Sequence, residues 1–155
     1  MAIQKGIKQV TSNKKAWHDY FVDEKYEAGI ELVGTEVKSI RLGQVNLKDA
    51  YCSFKDGELF VVGMHISPYE KGNIFNKDPM RRRRLLMHKK EILSLFGKTK
   101  QDGYTLIPLS IYFRNSRVKV EIGLCRGKKL HEKRDSIAKR DANREIDRVM
   151  KSRNR

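Results

Sequence analysis

The hydrophobic pattern of the chain switches between two periods. Residues 18–26 change side at each step, with Tyr20, Val22 and Tyr26 opposite Phe21, Asp23 and Lys25, as in a strand. From Glu27 the rhythm lengthens. Ile30, Val33, Val37 and Ile40 are spaced 3, 4 and 3 apart, which predicts a helix with Glu27 in or just before its first turn and Gly43 as its stop. Residues 49–55 alternate again, with Ala50, Cys52 and Phe54 on one face, and Asp56-Gly57 is a hairpin signal leading into an apolar run over 58–66. Residues 67–83 hold Pro68, Gly72 and Pro79 without a period, and a connection of that length is usually functional or mobile. Residues 85–96 read as a second helix, with Leu85, Ile92 and Phe96 on one side and Gly97 as its stop. Residues 104–113 are strand-like, with Pro108 marking an edge or a bulge, and Asn115-Ser116 makes the next turn. Residues 117–124 then place Val118, Val120, Ile122 and Leu124 inward and Arg117, Lys119 and Glu121 outward. Five or six antiparallel strands and two short helices predict a mainly β fold. An antiparallel barrel of the oligonucleotide-binding (OB) type is its expected form.

Charge changes this picture at the C-terminus. Of 155 residues, 34 are Lys or Arg and 19 are Asp or Glu, a formal net charge of +15. Residues 126–155 carry 12 basic and 5 acidic side chains, so thirty residues supply +7 of that excess. They hold few large apolar residues, though Ala138, Ala142, Ile146 and Val149 would line up if the segment were helical. The division expected is a barrel body over 1–125 and a basic tail over 126–155, disordered when free and ordering on an anionic partner. Eight Lys or Arg against Asp78 alone mark residues 71–90 as a second basic concentration. A polyanion is the expected partner, since neutralising its phosphates releases counterions. No apolar run is long enough to span a bilayer and no secretory signal is visible, so a cytoplasmic protein without membrane contact is expected.

Catalysis finds little support. Gly123-Leu124-Cys125-Arg126-Gly127-Lys128-Lys129 fails as a P-loop, with one residue too few between its glycines and no Ser or Thr for magnesium. As a cationic turn it suits phosphates. His18, His65, His88 and His131 stand in unlike settings, and Asp49, Asp56 and Asp78 are too scattered for a nuclease. Cys52 faces inward and Cys125 outward, with no metal-binding spacing, so neither a metal nor a cofactor is implied. RNA binding fits better. Arg81, Arg82, Arg83 and Arg84 beside the long connection are candidate phosphate contacts, and Trp17, Tyr20, Tyr26, Tyr51, Tyr69 and Tyr104 are candidates for stacking or core. A general ribosome-associated RNA-binding protein or RNA chaperone is the wider class.

Six fragments in order narrow that class: Tyr26-Glu27-Ala28-Gly29-Ile30, Glu36-Val37-Lys38-Ser39-Ile40-Arg41, Pro68-Tyr69, Arg83-Arg84-Leu85-Leu86, Gly127-Lys128-Lys129 and His131-Glu132-Lys133-Arg134. In these the chain resembles the SsrA-binding (SmpB) family of bacterial trans-translation adaptors. The resemblance implies an OB-type barrel with a tail unstructured off the ribosome. It also implies binding to the tRNA-like domain of transfer-messenger RNA (tmRNA) and its delivery, by a monomer, to stalled ribosomes. The family's contacts with that domain fall on Asn13, Glu27, Leu86 and Lys119. Lys119 suits a phosphate, and Glu27 a base amino group or a nearby Arg. Leu86 is either core or contact, and Asn13 either a cap or a contact. Lys38, Arg41, Arg83, Arg84, Lys128 and Lys129 complete the implied RNA-binding set. In the tail, the resemblance assigns His131, Glu132 (Asp in the family pattern), Lys133 and Arg134 to the small-subunit decoding centre. Val149 and Met150 would anchor a ribosome-bound tail helix in the message channel.

Overall fold

The computed structural model describes residues 6–128. In chain order the elements are β1 (Ile7–Ser12), α1 (Lys14–Asp19), β2 (Tyr20–Ile30), α2 (Gly34–Arg41), β3 (Val45–Asn46), β4 (Tyr51–Lys55), β5 (Glu58–Val62), β6 (His65–Ile66), β7 (Arg83–Leu86), α3 (Lys89–Asp102), β8 (Thr105–Arg114) and β9 (Arg117–Gly127). Seven strands form one antiparallel sheet in the order β1-β8-β9-β2-β7-β5-β4, while β3 and β6 pair separately. The sheet is not closed: β4 packs back against β8, but no ladder joins its two ends. A mainly β fold with short helices is therefore present, without the sealed seam of a closed barrel.

Two hairpins set the register. Asp56-Gly57 and Asn115-Ser116 all have positive φ, at 51°, 77°, 49° and 69°, as a two-residue turn matched to strand twist requires. The first pairs Lys55 with Glu58, the second Arg114 with Arg117. Val120, Ile122 and Leu124 of β9 point into the core with Ile30, Ile40, Leu59, Leu85 and Ile111. At Pro108 the β8–β9 register shifts, so the bulge reading of that proline holds. Leu106, Ile107 and Leu109 are all buried around it, and α1 covers a second cluster of Ala16, Ile107, Leu109 and Cys125. Cys125 is therefore buried rather than outward, and burial pushes its thiol up to about 12.

Both expected helices start later than their periodicity suggests. Residues 27–30 continue β2, because β9 pairs with it as far as Gly29 opposite Lys119. Glu27 thus lies on a strand, and α2 begins at Gly34, where the Glu36 Oε1 accepts the Val33 N–H at 3.0 Å. Leu85 and Leu86 belong to β7, and α3 runs through Gly97 to a left-handed cap at Gly103 (φ 68°). In both places a strand ladder outweighed a helical stripe. β1 and α1 went unpredicted: a register shift between Gln9 and Thr11 breaks the alternation of β1.

Asn13 organises this N-terminal corner. Its Oδ1 accepts the Ala16 N–H at 3.1 Å, and its Nδ2 donates to the Leu47 and Pro108 carbonyls at 3.2 and 3.1 Å. Both amide hydrogens are used inside the protein, so the geometry takes up the capping role. Asn13→Ala should cost about 2–3 kcal/mol, read as a lower denaturant midpoint at unchanged m-value. Asn13→Asp should not rescue it, since a carboxylate offers the two carbonyls no donor.

Candidate nucleic-acid interface

The outward faces of β9, β2 and β7 meet in one row. Gly29 is paired with Lys119 on one side and with Leu86 on the other. A Cβ at Gly29 would stand 3.2 Å from the Leu86 Cβ, so glycine keeps the floor of the row low. Above it opens a groove of about 810 Å³, lined by Glu27, Arg84, Leu86, His88, Lys89 and Lys119 among others. Strand alternation decides the Leu85-Leu86 pair: Leu85 is buried in the core, and Leu86 is 47% exposed in the groove. Lys119 has no ion pair among the described residues, which leaves its ammonium for a ligand. Arg84 is held at the groove's edge by Glu58 and Glu31, both at 3.0 Å.

Glu27 has the fullest set of partners in the row. The Tyr112 hydroxyl donates to its Oε2, and the Arg114 Nη2 lies 3.5 Å from that same oxygen. Burial and this hydrogen bond push the Tyr112 phenol well above its ordinary range. Glu27 therefore holds an Arg, one of the two roles open to it, while its other oxygen stays available. Tyr112 and Arg114 were missed from the sequence. Their signal was the Asn115-Ser116 hairpin, whose register sets Tyr112 opposite Lys119.

The four consecutive arginines divide by the same alternation. Arg83 is 1% exposed. Its Nε donates to Glu36 Oε2 at 2.6 Å, and its other nitrogens donate to the carbonyls of Met64, Arg81 and Pro79 at 2.9, 3.1 and 3.1 Å. It offers nothing to a phosphate, and its expected RNA contact is corrected to a structural ion pair. Arg81 also turns to Glu36, at 2.5 and 3.1 Å. Burial would raise the Glu36 carboxyl, but hydrogen bonds from Arg81, the Val33 amide and Arg83 outweigh it and hold the group below its usual range. Arg82 stacks over Phe60, its guanidinium 4.7 Å from the ring centroid.

Other expected contacts lie outside the groove. Lys38 and Arg41 are exposed on α2, over Tyr69 at 5.3 Å and Phe113 at 5.9 Å. Lys128 follows the far end of β9 from Lys119, with its Nζ 4.8 Å from the Phe21 ring. Trp17 is 41% exposed, with Lys25 4.9 Å above its ring. Lys129, His131, Glu132, Lys133, Arg134, Val149 and Met150 lie outside the described residues. Among the described residues, no His, Cys, Asp and Glu gather to hold a metal, and no helix is long and apolar enough to cross a membrane.

This geometry has known relatives. A family model described as SmpB protein matches residues 10–152. An SsrA-binding protein of Clostridium novyi is 61% identical over 146 residues, 94% of this chain and 93% of the relative. An SsrA-binding protein of Ruminiclostridium cellulolyticum is 60% identical over 149 residues, 96% of this chain and 97% of the relative. A solved structure described as "tmRNA-SmpB: a journey to the center of the bacterial ribosome" is 47% identical, with a TM-score of 0.67 over 82% of this chain and 93% of its own. With a family model spanning most of its length and near-full-length relatives at about 60% identity, the chain belongs to the SmpB protein family.

Proposed function

We propose that this protein binds the tRNA-like domain of tmRNA and carries it to stalled ribosomes for trans-translation, as a non-catalytic RNA-binding adaptor of the bacterial cytoplasm. The observation that carries the reading is the Lys119–Gly29–Leu86 row with Glu27 beside it. A cation without an ion pair among the described residues, an exposed apolar side chain and a tethered carboxylate share one groove on neighbouring strands. These supply a phosphate contact, a surface against which a base packs and an acceptor for a base edge. The names of the relatives, SsrA-binding protein, agree with it.

In this reading the open sheet with β4 against β8 is an OB-type barrel with one unpaired seam. The body over 1–125 holds the groove as a monomer. The tail over 126–155 faces the ribosome, with His131, Glu132, Lys133 and Arg134 at the decoding centre and Val149-Met150 in the message channel.

The test is competition. Labelled tRNA-like domain bound to the protein should resist a large excess of bulk transfer RNA and yield to unlabelled tRNA-like domain. Equal displacement by both would make the protein a general RNA binder, because electrostatic attraction alone does not distinguish the two.

A further inference from the structure

We infer that Tyr112 and Arg114 are positioning residues that occupy one oxygen of Glu27, so that the groove reads a single exocyclic amino group, that of an unpaired cytosine or adenine, and not a guanine edge. This rests on the reading of the groove given above. Tyr112 and Arg114 both approach Glu27 Oε2, while Oε1 has no hydrogen-bond partner among the described residues. The two come from β8, which is separated from β2 by β9. Tyr112 is in register with Lys119, so its side chain crosses β9 beside that lysine to reach Glu27.

The tether answers a local conflict. The residue opposite Glu27 on β9 is Glu121, and like charges directly across a ladder repel. Left to itself, Glu27 would swing away from Glu121 with a broad terminal torsion, and ordering it on binding would cost side-chain entropy. The phenol and the guanidinium hold it in place beforehand, which is preorganisation.

The same tether sets what can be read. A carboxylate with both oxygens free accepts the N1–H and the amino group of guanine side by side. With Oε2 accepting the Tyr112 hydroxyl and paired with the Arg114 charge, Oε1 is the oxygen left to present, which suits the lone amino group on cytosine or adenine. Such an edge is exposed in unpaired RNA, not in an A-form helix whose deep groove side chains cannot enter.

A double-mutant cycle on the full chain tests this, using the tRNA-like domain of tmRNA as the probe. Tyr112→Phe should weaken binding roughly 3- to 10-fold with the melting temperature and salt slope unchanged, since the ring is kept. In a Glu27→Ala background the same change should have no further effect. An equal loss in both backgrounds would mean that Tyr112 acts independently of Glu27, and would overturn the inference. If Glu27→Ala alone left affinity unchanged, the reading of the groove would itself fail and take the inference with it. Base identity is read by analogue substitution: removing the amino group from cytosine or adenine (zebularine, purine riboside) should abolish the Tyr112 dependence, while inosine for guanosine should preserve it. Loss with inosine alone would show a guanine contact and contradict the assignment.

Discussion

Arg83→Leu is expected to lower the melting temperature by about 10 °C. The guanidinium is almost wholly buried and makes four hydrogen bonds, to Glu36 and to the carbonyls of Met64, Arg81 and Pro79. Removing it leaves a carboxylate that is itself 5% exposed with Arg81 as its one remaining cation among the described residues. It also takes the guanidinium from the carbonyls of Met64, Arg81 and Pro79, the last of which keeps the Ile66 N–H. Breaking a buried pair from one side costs about 3–5 kcal/mol when the surviving charge loses its compensation, and with Arg81 still on Glu36 the lower end applies. For a chain of this size each kcal/mol is worth about 2–4 °C. Arg83→Lys should recover little, since one ammonium cannot span the same acceptors. The folded fraction should still bind RNA, because the groove uses Leu86 and Lys119 and not Arg83. A melting shift below about 3 °C would show that water or Arg81 compensates fully.

The same cluster gives a pH dependence. The folded Glu36 carboxyl titrates below its unfolded value of 4.5, so its stabilisation is fully present above that pH. It is lost as pH falls from 4.5 through the lower folded value. Arg83→Leu should remove only part of this acid-limb slope, because the hydrogen bonds from Arg81 and the Val33 amide still hold the carboxyl down.

Much of the fold was legible because its hairpins are local. Asp56-Gly57 and Asn115-Ser116 fix two registers from adjacent residues, and the alternation of β9 follows directly. The two helix starts were not legible, because Ile30 and Leu85 sit on stripes that suit either period. Only pairing with each other across β2 and β7 decides that both are strand residues. The site divided in the same way. Lys119 was outward by simple alternation, and the groove that unites it with Glu27 and Leu86 comes from three strands far apart in sequence. Arg83 misled because a run of four arginines reads as one basic patch. In a strand, alternate members face opposite ways, and the inward one found Glu36 forty-seven residues earlier.

Under the proposed function Lys119 and Glu27 serve one RNA groove by different physics, and affinity measured against salt separates them. The unmodified protein, if it neutralises about four to six phosphates, should give a slope of log affinity against log salt of roughly −3 to −5. Lys119→Ala should weaken binding to the tRNA-like domain and flatten the slope by about 0.7 to 1, the share of one phosphate. Glu27→Ala should also weaken binding but leave the slope where it was, since a carboxylate that meets a base edge neutralises nothing. Removing a negative charge for electrostatic reasons alone would instead strengthen binding. Both variants should lose affinity, with a slope change in Lys119→Ala only. Tighter binding by Glu27→Ala, or an unchanged affinity and slope for Lys119→Ala, would contradict this division of roles.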